Sequence, residues 1–192
     1  MYMYFLRACV GFATITAAFA SEITSETRPL PPDDVVRTTA EALINEVSDW
    51  LASNFDLPSV TERPEVKFVS DAKLEELRNQ YSTRPQVDAG GKASEVTSNG
   101  NPGGTVALYD NSNRTIFLSD RWIGTSPADQ SILVHEMVHH VQNLASLTFE
   151  CPLAREKLAY RAQNRWLGRF GKDLESEFGL DPFSVLMNSV CM

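Results

Sequence analysis

The chain has 192 residues, a length that fits one domain with at most a loose arm, and 43% of them are apolar, enough for a packed core and too many for a disordered chain. Its formal charge is -8; the first twenty residues carry one charge, Arg7, and without them 16 Lys and Arg stand against 25 Asp and Glu. That balance speaks against nucleic acid or anionic lipid as a partner, because either needs a basic footprint. No internal apolar run reaches the roughly 18 residues that a membrane span requires.

The chain opens like a secretory signal peptide. Arg7 is followed by the uncharged, mostly apolar run Ala8 to Phe19, and Ala18-Phe19-Ala20 forms an A-x-A cleavage site before Ser21. Residues 1–20 are therefore expected to be a signal peptide, and the protein to be exported (periplasmic or secreted), with no stable membrane insertion once the signal is removed. A retained N-terminal anchor is the alternative. Cys9 leaves with the signal, and the remaining pair, Cys151 and Cys191, suits one disulfide in an oxidising compartment, or else two buried thiols.

Residues 21–32 are polar and proline-bearing and read as a flexible leader before a single domain over 33–192. Asp33 to about Asn54 is predicted helical, with Val36, Ala40, Leu43, Val47, Trp50 and Leu51 on one 3.6-residue stripe. Val66-Lys67-Phe68-Val69 reads as a short strand, and Ser70 or Asp71 caps a helix through Leu74 and Leu77 to about Tyr81. Residues 82–104 have no apolar period and contain Gly90-Gly91, Asn99-Gly100 and Pro102-Gly103-Gly104. They read as a long loop, either a rim over a site or a plain insertion.

Thr105 to Tyr109 and Thr115 to Leu118, joined by Asp110-Asn111-Ser112-Asn113, predict a β-hairpin. Ser126-Pro127-Ala128-Asp129 is a strong helix start, and the helix should run to about Leu147. Pro152 opens another through Glu156, Tyr160, Gln163 and Leu167 to about Phe170, and Pro182 to Val190 holds a short last one. The class expected is α+β, mainly helical, with a small antiparallel sheet or hairpin against the Pro127 helix. Trp122, Trp166 and Phe170 are expected in the core, and Asp173, Glu175 and Glu177 in a solvated polar stretch.

The chemistry lies in His135-Glu136-Met137-Val138-His139. Four residues on a helix is a little over one turn, so His135 and His139 face the same side and can reach one tetrahedral metal ion. Glu136 sits about 100° away, poorly placed to ligate and well placed to act as general base on water in the open metal position. Three fixed positions recur by chance in unrelated chains, so context decides. The neighbours Ile132, Leu133, Val134, Met137, Val138 and Val141 are apolar, so the helix looks buried, and buried His and Glu side chains must be satisfied by something. Zn2+ is the cofactor expected.

A catalytic zinc normally has three protein ligands. No histidine follows His140, which excludes the extended motif with a third His, so a carboxylate is expected. Glu156 is the first choice, on an otherwise apolar face with Leu153, Ala159, Tyr160 and Gln163; Glu150 is the second.

These residues resemble the gluzincin branch of the zincin metallopeptidases: His135, Glu136 and His139 on one helix, a turn, then Glu156 on a second. The pattern His-Glu-x-x-His-x-x-Gln followed by Glu-x-x-Ala-Tyr-x-x-Gln is also similar to a group of small bacterial exported proteins. The likeness spans roughly residues 105–170; the seventeen positions from His139 to Glu156 are fewer than in many gluzincins. The resemblance implies a zincin-like fold and a zinc peptidase acting on a peptide or protein substrate, with the hairpin strand bordering the cleft and pairing with extended substrate.

Around this set, Tyr160 either donates to an oxyanion, orients Glu156, or simply packs. Gln142, on the His135/His139 face, is expected to hydrogen-bond Glu156 or a His ring. His140 is read as exposed rather than as a partner of the site, and Asn113-Arg114-Thr115 is a sequon. The alternative function is a zincin-fold protein that binds zinc, or a partner, without catalysis. A weaker alternative is an exported module without metal.

Overall fold

The computed structural model describes residues 33–83 and 106–191. The expected signal peptide, the leader and most of the Gly-rich loop lie outside the described residues. The class is α+β: helices α1 (Asp33–Asn54), α2 (Asp71–Thr83), α3 (Pro127–Leu144), α4 (Glu156–Gly168), α5 (Leu174–Phe178) and α6 (Pro182–Met187), with strands β1 (Glu65–Val69), β2 (Ala107–Asp110) and β3 (Thr115–Ser119). A 3-10 turn, Pro152–Arg155, leads into α4. Among the described residues no helix is long and apolar enough to cross a membrane.

The predicted hairpin is present as β2 and β3, antiparallel with Tyr109 opposite Ile116. The sheet is mixed, however, not purely antiparallel. β1 joins the other side of β3 in parallel, giving the order β1-β3-β2. The two faces explain why every residue of β2 is buried. Ala107, Tyr109, Ile116 and Leu118 enter the main core, whereas Leu108 meets Leu74 and Leu77 of α2, with Val69 and Phe117 beside them. A sheet covered on both faces loses simple alternation of apolar and polar residues.

Ser119 N donates to Val106 O at 3.1 Å. In an antiparallel ladder bonded pairs alternate, so Leu108 and Asp110 bond to β3 while the amides of Ala107 and Tyr109 face the other edge of β2, with which no strand among the described residues pairs.

α1 packs on α3 with the predicted stripe inward, and Trp50, half-buried, meets Trp166 of α4 edge-on at 5.1 Å. α3 begins as its sequence requires: Ser126 Oγ accepts from Asp129 N at 3.0 Å, and Pro127 occupies the first turn. Gly124 shapes the approach. Its φ is +73°, and a Cβ there would sit 2.5 Å from the Trp122 ring. The helix ends at Leu144, three residues earlier than expected, because Ser146 turns into the left-handed region at φ 51°.

One expectation about the core fails, and one short helix goes unforeseen, although Asp173 and Glu175 are exposed as expected. Phe170 is 45% exposed, beyond the end of α4, where Arg169 lies over its ring. The polar stretch after it hides α5: Asp173 and Ser176 form a capping box, and Leu174 and Phe178, four residues apart, are buried. The long loop also starts later than predicted, since Ser82 and Thr83 belong to α2. Cys151 and Cys191 form a disulfide across 40 residues, tying the chain's end to the start of the 3-10 turn.

Candidate metal centre

α3 is buried without interruption from Ser131 to Gln142, and it packs most extensively against α4. The apolar residues of the motif helix face the core, while His135, His139 and Gln142 turn towards α4 and the turn before it. His135 and His139, one turn apart, are fully buried. Glu156 opens α4 and is 2% exposed. His135 Nε2 lies 3.0 Å from Glu156 Oε2, and His139 Nε2 lies 3.3 Å from the same oxygen. The three residues offer ligand atoms that all lie within 4.8 Å of one another, a group able to hold a metal ion. A tetrahedral ion with bonds of about 2.0 Å has ligand–ligand edges of about 3.3 Å, which these separations approach. Glu150, the second candidate, is exposed and takes no part.

The other ring nitrogens are occupied. His135 Nδ1 is 3.0 Å from Gln163 Oε1, and His139 Nδ1 is 3.0 Å from Gln142 Oε1. Gln142 thus bonds a His ring, as expected, and its amide nitrogen donates to the Arg155 carbonyl at 3.0 Å. The ring of Tyr160 stands edge-on to that of His135 at 4.9 Å, where it limits rotation of the imidazole.

Glu136 is 0% exposed, and among the described residues neither of its carboxylate oxygens has a hydrogen-bond partner; His139 Nε2 likewise makes no hydrogen bond among them. A buried polar group without a partner costs about 1–3 kcal/mol, so native folds seldom keep one without a use. Burial pushes Glu136 up to about 7, with the charge on His135 and, weakly, the Tyr109 amide opposing. Burial pulls His139 down to about 4 against the Glu156 carboxylate. Burial would raise Glu156, but both histidines outweigh it, and the carboxyl is held well below its ordinary value. Burial would also lower His135, but Glu156 outweighs it and the net direction is up. An ionised Glu156 and a neutral His139 are the forms that ligate a metal.

Three residues enlarge the picture. His140 is fully buried, not exposed. Its Nε2 is 2.8 Å from the Glu62 carbonyl, and its Nδ1 is 3.1 Å from the Tyr109 hydroxyl. Since the carbonyl only accepts, Nε2 carries the proton and Tyr109 donates to Nδ1, so His140 fastens β2 to α3. Arg155 is buried just before Glu156, with Nη2 on Asn111 Oδ1 at 3.2 Å and its charge bearing on Glu156 and Glu136. Gln163 falls two turns after Glu156 on the same helix face. Only the shared spacing Glu156, Tyr160, Gln163 signals its role in the sequence; nothing there signals Arg155.

Fold and site together define an α+β protein with a buried His-His-Glu group able to bind a metal ion. A family model described as "Domain of unknown function (DUF6647)" matches residues 37–192, and the chain belongs to that family. No curated protein and no solved structure matches it.

Proposed function

We propose that the protein is a zinc-dependent hydrolase that cleaves peptide bonds, with His135, His139 and Glu156 as zinc ligands and Glu136 as general base. The observation that carries this reading is Glu136: a fully buried carboxylate, both oxygens without partners among the described residues, one residue from a ligand and raised to about 7. A protein that merely stores a metal has no need of it. Two imidazoles and one carboxylate are the ligand types of catalytic zinc sites, which keep a fourth position open.

Bound there, zinc would supply Lewis acidity that brings the pKa of a water towards about 7. Glu136 takes the proton of the attacking water on a carboxylate oxygen and returns it to the departing amine nitrogen. Tyr160 steadies His135, and Arg155 offsets the charge of the two carboxylates. The edge of β2 that no described strand occupies, towards which the Tyr109 and Ala107 amides point, is the one with which an extended peptide would pair. Export is part of the same reading, and the Cys151–Cys191 disulfide supports it.

The test is metal analysis of purified protein together with hydrolysis of a peptide library, wild type against Glu136→Ala. Zinc in both, with cleavage in the wild type alone, is the expected result. Wild type without metal, or cleavage unchanged in the variant, overturns the proposal.

A further inference from the structure

A histidine that ligates a metal through one nitrogen needs the other one fixed, usually by a carboxylate, a backbone carbonyl or water. Here both fixing groups are glutamine amides, and the direction of each amide is determined by its far end. Gln142 Nε2 donates to the carbonyl oxygen of Arg155, which can only accept, so Gln142 Oε1 must face His139. Gln163 Nε2 lies 3.4 Å from Ser131 Oγ, whose own hydrogen goes to the Ala128 carbonyl at 2.8 Å, so Gln163 Oε1 must face His135. Amide oxygens accept and never donate. Both histidines are therefore protonated at Nδ1, and both Nε2 atoms are left turned towards Glu156.

The connections also run in opposite directions across the helix pair. Gln142 sits on α3 beside His139 and holds the backbone of the residue just before Glu156. Gln163 sits on α4 with Glu156 and holds His135 and Ser131 on α3. Ring orientation and the spacing of the two helices are thereby set by the same four hydrogen bonds.

We propose that Gln142 and Gln163 form a reciprocal clamp: they are positioning residues that preset all three ligands for the metal. The inference rests on the metal-binding half of the proposed function and is independent of hydrolysis.

The clamp makes an asymmetric prediction. Gln163→Glu keeps an acceptor for His135, and its second oxygen can accept from Ser131 once that hydroxyl turns. Gln142→Glu keeps the acceptor for His139 but sets a carboxylate oxygen against the Arg155 carbonyl, and the tie to Glu156 is lost.

The experiment is competition for zinc, and for cobalt, against a chromophoric chelator, with melting curves in excess chelator to follow the metal-free fold. Gln142→Leu and Gln163→Leu are expected to lose roughly 10- to 100-fold in affinity. Gln163→Glu should return to within severalfold of wild type, and Gln142→Glu should not. Should a Leu variant fail to fold, the Glu pair still decides. Equal affinities in wild type and the Leu variants, or identical behaviour of the two Glu variants, overturn the clamp alone. A wild type that binds neither metal overturns the clamp together with the proposed function.

Discussion

His139 Nε2 and Glu156 Oε2 stand 3.3 Å apart across the α3–α4 interface, both side chains buried. An anion and an imidazole buried this way are costly unless a cation joins them. Metal removal should therefore reach the whole fold. At a free zinc concentration 100 times Kd, binding adds about 2.7 kcal/mol, which is roughly 5–11 °C in a chain of this size. Melting with and without chelator should show that difference in the wild type and none in Glu156→Ala.

Glu136 separates activity from stability. Glu136→Gln is expected to keep the metal and lose about 10²- to 10⁴-fold in hydrolysis. Glu136→Leu removes a buried carboxylate whose oxygens have no partners among the described residues. In chelator it should be more stable than wild type by about 1–3 kcal/mol, read from denaturant midpoints. A loss of stability instead would mean that the carboxylate is satisfied in the fold.

The residues that the sequence exposes are those whose reason is local. Helical spacing alone puts His135 and His139 on one side of α3, and Ser126-Pro127 marks its start. Glu156 is conspicuous because a carboxylate interrupts an apolar face. The features missed depend on partners distant in the chain. His140 reads as exposed because its acceptor, Glu62, is 78 residues away. The parallel pairing of β1 with β3 leaves no local trace, and β2 shows no alternation because α2 covers its second face. α5 is hidden because only two of its five residues are buried. Arg155 acquires its surroundings from the β2–β3 turn through Asn111.

Tyr109 tests the attachment of the edge strand. Its hydroxyl donates to His140 Nδ1 and accepts from Asn143 Nδ2 at 3.0 Å. Tyr109→Phe leaves both of those groups short of a partner in a buried setting and should cost about 1–3 kcal/mol. Asn143 still donates to the Asn111 carbonyl at 2.9 Å, which places the effect at the lower end. Because the hydroxyl does not touch His135, His139 or Glu156, zinc affinity should stay within severalfold of wild type. If the strand edge receives substrate, KM should rise more than kcat falls.

The disulfide offers the sharpest separation of fold from site. Cys151 lies five residues before Glu156, close enough for the break of its bond to Cys191 to reach the ligand. The hydrogen bonds say otherwise: the Arg155 carbonyl is held by Gln142, and α4 is packed along α3 well beyond that point. What the disulfide constrains is the unfolded chain, by closing a loop of 40 residues, and the docking of α6, none of whose residues is buried. Cys151→Ser/Cys191→Ser should therefore lose about 2–4 kcal/mol in denaturant unfolding while zinc affinity changes by no more than severalfold. Loss of metal in step with loss of the disulfide would show instead that Glu156 is positioned from the C-terminal end of the chain rather than from α3.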